Sequence, residues 1–206
     1  MTNRSTTAVT VLACAAALAG CAADTSGFRQ GPIPENDPSS YGLTDQAQLD
    51  LPPEPGSNAP FGESIAWEAL VAVSEFAGTT DPDAAYACPA ITGQEREVTC
   101  TVTFLGDDYD YVVTIDDAWE LMPDVLDQTW IQYTAELPAG PVVRDVVEDH
   151  LRWSKRTEYV LCDLPEVASA EVGEELGTCE TVDEDGFGTT EMIVTVGEYG
   201  FMTQHA

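Results

Sequence analysis

Residues that could act as a general base are scarce in this chain of 206 residues, which has two histidines. His150 follows a helical pattern beside Glu148, and His205 is the penultimate residue. A Ser-His-Asp or Cys-His site needs its base within hydrogen-bond reach of the nucleophile. Neither histidine stands in such a motif. The residue types therefore favour a protein that is not an enzyme, with an enzyme of unrecognised type as an alternative.

Carboxylates are abundant, with 37 Asp and Glu against 7 Lys and Arg and a formal net charge of −30. General acid–base catalysis needs a carboxyl group with a raised pKa in a pocket, and abundance alone does not indicate one. The negative field repels nucleic acid, so we expect no nucleic-acid partner. A cationic partner or weakly held divalent cations are allowed.

The sequence also predicts no cofactor or built metal site. Positions 181–192 have the glycine of a calcium loop, but Thr181 and Met192 stand where an EF-hand requires Asp and Glu. Four cysteines, Cys88, Cys100, Cys162 and Cys179, lack the close spacing of a zinc site. In an exported chain they predict two disulfides, with three possible connectivities.

The first 20 residues have the order of a secretory signal peptide. Arg4 is the only charge before Asp24, and positions 8–19 are almost all apolar. This run is shorter than the roughly 20 apolar residues of a transmembrane helix. In an ordinary signal peptide, Cys21 would be incidental.

Leu18-Ala19-Gly20-Cys21 resembles the lipobox of bacterial lipoproteins. The resemblance implies that the Cys21 thiol receives a diacylglycerol and that cleavage occurs before Cys21. Two acyl chains anchor a protein stably, whereas one gives reversible binding. We therefore expect a lipid-anchored protein on the extracytoplasmic face of the cell membrane.

Residues 21–60 are rich in Pro, Gly, Ser and acids and show no apolar period. They predict a disordered stalk of roughly 35 Å. Residues 61–138 and 139–206 then have a similar order: helix, cysteine strand, loop, cysteine strand, acidic turn and strand. The helical patterns start at Phe61 and at Val142, and we expect a short helix and then a strand in the connector 118–138.

This internal repeat predicts an α+β fold of two tandem small modules, each a helix packed on an antiparallel sheet with one internal disulfide. The expected pairs are Cys88–Cys100 and Cys162–Cys179. The Cys88-Pro89 pair, Gly93 and the strand ending at Val102 resemble a small CP…G…C domain of unknown function in actinobacterial lipoproteins. That resemblance implies architecture and location but no activity.

The leading functional hypothesis is a non-catalytic, lipid-anchored surface protein that binds a protein or an envelope component. The alternative is an inhibitor of an extracellular hydrolase, by analogy with tandem-module β-lactamase inhibitor proteins and protease pro-domains. Aromatic side chains are frequent hot spots of interfaces. The candidates are Tyr109, Tyr111, Trp119 and Trp130.

Overall fold

A computed structural model describes residues 22–39, 49–120 and 129–206. The predicted signal peptide, the lipobox and Cys21 lie outside these ranges. Among the described residues, no helix is long and apolar enough to cross a membrane.

The described residues form an α+β fold in which all the paired strands are antiparallel. In chain order the elements are β1 (Arg29–Gln30), α1 (Phe61–Ala77), β2 (Ala85–Ala87), β3 (Glu97–Phe104), β4 (Asp107–Glu120), β5 (Thr129–Glu136), β6 (Ala139–Val143), α2 (Arg144–Lys155), β7 (Tyr159–Cys162), β8 (Val167–Glu171), β9 (Glu175–Val182), β10 (Thr189–Gly197) and β11 (Gly200–His205).

The first sheet has the order β2-β3-β4-β5, and α1 packs on one face of it. Strand β3 alternates between exposed and buried residues, which places one row of side chains against the helix. Helix α1 ends at Gly78, whose φ of 68° is left-handed and whose N–H reaches the carbonyls of Ser74 and Glu75. Glycine adopts this cap conformation without a Cβ penalty.

The second sheet has the order β1-β7-β9-β10-β11, with α2 against it, and β6 pairs with β8 in a separate two-stranded sheet. Val142 and Val143, predicted to begin the second helix, instead end β6, and α2 starts at Arg144. Backbone pairing explains the difference, because Val142 lies opposite Ala168 in the ladder. Such ladders suit β-branched residues better than a helix does.

The connector prediction is right in one part and wrong in another. The expected strand is β5, at Thr129–Glu136. Ala118 to Glu120 belong to β4 rather than to a short helix. The rest of the predicted helix lies outside the described residues.

The core consists of two clusters, one beneath each helix. Phe76 is the exception, because it belongs to α1 but packs with Val142, Val147 and the second sheet. Gly140 in β6 accommodates its ring, since a Cβ there would lie 2.6 Å from the Phe76 Cγ. Helix α1 is therefore part of both cores.

The prediction of a disordered stalk is wrong for the described parts of residues 21–60. Arg29 and Gln30 pair with β7, Ser39 is buried, and Leu49 is 9% exposed. The carbonyl of Pro52 accepts a hydrogen bond from the Trp67 indole at 3.0 Å. These contacts could not be predicted from the polar composition of the segment, because backbone pairing and single ion pairs need no apolar period in the sequence.

Candidate functional site

Disulfides join Cys88 to Cys100 and Cys162 to Cys179, the pairs expected from the internal repeat. Cys162 and Cys179 face each other in the β7–β9 ladder. Cys88 directly follows β2, and its partner Cys100 in β3 is buried in the first core, as Cys179 in β9 is in the second. Each disulfide therefore holds a sheet in place without contributing reactive thiols.

Tyr109 and Tyr111, predicted as exposed partner-binding residues, are buried at 2% and 6% exposure. Both belong to the core under α1, so this prediction is wrong. Their position follows from strand alternation, since residues two apart share a face and this face meets the helix. Burial raises the pKa of Tyr109 to about 12.

The phenol of Tyr111 has a partner that the sequence did not indicate. Tyr111 donates to the Glu68 carboxylate at 2.9 Å, and Tyr133 from β5 donates to the same group at 2.7 Å. Burial, and then the Glu68 charge, raise the pKa of the Tyr111 hydroxyl. This cluster connects α1 to β4 and β5 and stabilises the sheet rather than forming a cavity.

Trp130 is the predicted aromatic that remains available, with 55% of its surface exposed. It lies on β5, the edge strand of the first sheet. Its partner in the ladder is Trp119 on β4, whose side chain lies outside the described part of the structure. One of the four predicted aromatics is therefore known to be accessible at an edge.

A cleft of about 570 Å³ lies between the loop at residues 93–96 and the bulged part of β4 at residues 114–118. Its size is within the range of small-ligand sites. Gly93 approaches β4 with a φ of 84°, and a Cβ there would lie 2.8 Å from the Ala118 Cβ. The cleft therefore depends on Gly93, whose only signal in the sequence is its place in the CP…G…C pattern.

The carboxylate of Glu95 organises the loop of this cleft. It accepts hydrogen bonds from the backbone N–H groups of Thr92 and Gly93 and from the Thr92 hydroxyl. Backbone hydrogen bonds are the first of the causes that lower its pKa to about 2. Because these bonds lie within the loop, they hold the backbone turn. On the opposite wall of the cleft, Asp117 accepts a hydrogen bond from the Ala118 N–H at 2.9 Å, and Asp116 lies beside it.

His150 does not lie in the cleft. Its Nδ1 is 2.7 Å from the Asp37 Oδ1, and its Nε2 is 3.4 Å from the Thr203 Oγ1. The ring also meets Phe201 edge-on. The order carboxylate–imidazole–hydroxyl resembles a nucleophilic triad, but the ring fastens the N-terminal segment to α2 and β11. His205 lies 3.3 Å from the Lys155 Nζ.

The most buried charged side chain among the described residues, Glu148, was not predicted as a site residue from the sequence. Glu148 is 1% exposed and contacts Arg29 at 3.0 Å and Arg152 at 3.1 Å. Arg29 also pairs with Asp145 at 2.9 Å, which is the first cause of the raised pKa of its guanidinium. One signal was present in the sequence, since Arg29 is the only basic residue in 22–60.

Within the ranges that the structure describes, no group of three His, Cys, Asp or Glu side chains is arranged to hold a metal ion. Comparison of the chain with protein-family models, with curated proteins and with solved structures finds no match. The candidate site is therefore defined by its geometry: the β5 edge with Trp130, beside the acidic cleft.

Proposed function

We propose that this protein is exported, anchored by lipid on Cys21, and binds an extended segment of another envelope protein along β5, without catalysis. The observation that supports the binding proposal is the outer edge of β5, which pairs with no other strand among the described residues, together with the exposed Trp130. The anchor is supported by the lipobox-like Leu18–Cys21 after a short apolar run.

Strand β5 has no proline, its one charged residue is Glu136 at its end, and no other strand of the described residues covers its outer edge. Natural edge strands are shortened, charged, bulged or interrupted by proline. Residues 129–135 contain no charge and no proline, and β5 is eight residues long. The other edge strand of this sheet, β2, has three residues. An extended peptide can add to such an edge through main-chain hydrogen bonds.

The acidic residues near β5 determine which partner segments can bind along this strand. Asp117 lies opposite Gln132 in the ladder, Asp116 lies in the adjacent bulge, and Glu136 ends β5. An uncharged or basic strand is compatible with these acids, whereas an acidic one is repelled. A second copy of this chain would bring two net charges of −30 together, so we assign the edge to a different protein.

The two predicted modules, residues 61–206, together form the head of the protein. We also propose that this head arose as two tandem copies of one helix-and-sheet unit. Helix α1 is followed by the meander β2-β3-β4-β5, and α2 is followed by β7, β9, β10 and β11 in the same adjacent order. In each half a disulfide joins the second strand of the meander, β3 or β9, to the C-terminal end of the first, since Cys88 directly follows β2 and Cys162 ends β7. The pair β6–β8 and the strand β1 are the additions that differ between the halves.

Photo-cross-linking in the native envelope tests the binding site. A photoreactive amino acid replaces Gln132 on β5 or, as a control, Thr101 on the inner strand β3; both positions are exposed. We expect position 132 to cross-link to a neutral or basic segment of one partner protein, and position 101 to give no such product. A synthetic peptide of the captured segment is then titrated against the purified protein.

Matched lysine variants complete the test. We expect Thr134→Lys, which places a charge at the edge, to weaken peptide binding at least tenfold, because charge there opposes strand addition. Thr101→Lys changes the net charge equally and should leave binding unaltered. Cross-links at both positions alike, or only between copies of this chain, would contradict the proposed site.

A further inference from the structure

The N-terminal end of the described chain is fastened to the head immediately after the proposed lipidation site. The backbone N–H of Ala23 donates to the carbonyl of Gly186 at 2.9 Å. A turn follows, in which Phe28 donates to the carbonyl of Thr25 at 3.0 Å, and β1 begins one residue later. Residues 23–30 are therefore held against the second sheet and the loop between β9 and β10.

Covalent geometry then limits the distance between the head and the lipid-carrying Cys21. Consecutive Cα atoms are about 3.8 Å apart, so the Cys21 Cα lies within about 8 Å of the Ala23 Cα. Ala23 is itself bonded to the β9–β10 loop at Gly186. A lipid on Cys21 would bring this loop to the membrane surface, in contrast to the roughly 35 Å stand-off expected for a stalk.

The loop presents a side chain suited to that surface. Phe187 stands next to Gly186 and is 60% exposed. Its backbone N–H donates to the Asp185 Oδ1 at 3.0 Å, and Asp183 accepts a hydrogen bond from the Thr190 hydroxyl at 2.6 Å. The loop is thus held in shape while the phenyl ring faces outward. Aromatic rings are stable at the boundary between headgroups and acyl chains.

We infer that the face formed by Ala22, Ala23, Gly186 and Phe187 lies directly on the lipid bilayer, with the Phe187 ring among the headgroups. This inference rests on the proposed lipidation of Cys21. The exposed acids Glu184 and Asp185 remain at the aqueous side of the headgroups. Their repulsion from anionic lipid is screened by salt, so the contact is shallow.

Spin labels on the full acylated protein in phosphatidylcholine vesicles test this orientation. One variant carries a nitroxide at Phe187→Cys. The control carries it at Tyr199→Cys, in the turn between β10 and β11, where the residue is 63% exposed. The two turns lie at opposite ends of β10, roughly 30 Å apart. We expect a water-soluble nickel chelate to reach the label at 187 several-fold less than the label at 199.

Two outcomes separate this inference from the proposed anchor. Equal access of the chelate at both positions, on protein whose N-terminus mass spectrometry shows to be acylated, overturns the orientation and leaves the anchor standing. An unmodified Cys21 overturns both. Each substituted side chain is exposed, and circular dichroism checks that the labelled variants fold like the parent.

Discussion

At the scale of single residues, Tyr109 and Tyr111 show how one hydrogen bond changes the effect of burying a hydroxyl. They lie two positions apart on β4, on the face that meets α1. Tyr111 donates to Glu68, whereas the Tyr109 hydroxyl has no hydrogen-bond partner among the described residues. A buried polar group without a partner destabilises the folded state.

We therefore expect Tyr109→Phe to raise the free energy of unfolding by about 1 kcal/mol, since it removes an unpartnered hydroxyl and keeps the ring. Tyr111→Phe is the matched control, and it should lower that free energy by roughly 1–3 kcal/mol because Glu68 loses a donor. Urea unfolding of both variants measures the difference. A loss of stability in Tyr109→Phe would refute this account of the hydroxyl.

The raised pKa of Tyr109 also predicts alkaline unfolding. Its pKa is about 12 in the folded chain against 10.0 for an ordinary tyrosine. Below pH 10 both states keep the proton, and between these values the unfolded state releases it first. Stability should fall as pH rises from 10 towards 12, and Tyr109→Phe should reduce this loss. Urea unfolding at stepped pH, with parent and variant side by side, provides the test.

Glu148 is a buried carboxylate that pairs closely with Arg29 and Arg152 and lies 4.0 Å from the Arg144 Nε. Glu148→Gln should lower the free energy of unfolding by about 3–5 kcal/mol, because it removes the buried carboxylate from Arg152 and leaves that guanidinium paired with the more exposed Asp149 at 2.6 Å. Glu180→Gln removes an exposed carboxylate and serves as the control. Equal effects of the two changes in thermal or urea unfolding would show that the cluster contributes nothing beyond net charge.

At the scale of elements, α1 belongs to both halves of the head. Most of its buried face covers the first sheet, but Phe76 near its C-terminal end packs into the second core. Gly140 in β6 provides the space for this ring. The two sheets are therefore connected through α1, and a substitution in β6 should alter the packing of α1.

Gly140→Ala tests this connection. The added methyl group would meet the ring of Phe76, which is 3% exposed and cannot move aside freely. Overpacking of this kind lowers the free energy of unfolding by roughly 1–3 kcal/mol. Gly56→Ala is the control, since a Cβ there meets nothing within 4 Å. If both variants unfold at the same urea concentration, Gly140 is not a point of close packing.

The elements divide into those that the sequence could predict and those that it could not. Helix α1 and strands β3, β5 and β10 have their own apolar periods, and the order of the cysteines indicated the disulfides. Strand β1 has two residues and no period, so its place depends on partners more than a hundred positions away. Of the predicted aromatic residues, Trp130 is the one that pointed correctly to the β5 edge. Tyr109 and Tyr111 are equally typical of interfaces by residue type, but they lie on a buried face, and residue type alone does not distinguish the two cases.

At the scale of the whole molecule, the net charge of −30 opposes compaction. Like charges on a folded surface repel one another, and salt screens this repulsion over about 10 Å at 0.1 M. The ion pairs of Glu148 lie in a buried environment, where screening is weaker. The dominant effect of salt should therefore be the relief of surface repulsion.

We expect the thermal midpoint to rise when sodium chloride is added to a low-salt buffer, with most of the gain complete near physiological ionic strength. Differential scanning calorimetry measures the midpoint. Sodium sulfate at equal ionic strength distinguishes screening from a specific ion effect, because screening alone gives the same shift. A midpoint that falls with salt would show that attractive surface pairs outweigh the repulsion.

The contacts of Arg29 have a consequence for the time course of folding. Arg29 reaches residues 116 to 123 positions later in the chain. Contacts between residues so far apart form slowly, because a long loop must close first. The contacts of Arg29 with α2 cannot form until α2 has reached the same side of the membrane. A chain that crosses a membrane unfolded would keep its first segment free throughout transit. The segment that carries Arg29 would then pair with α2 and β7 only after most of the chain has emerged.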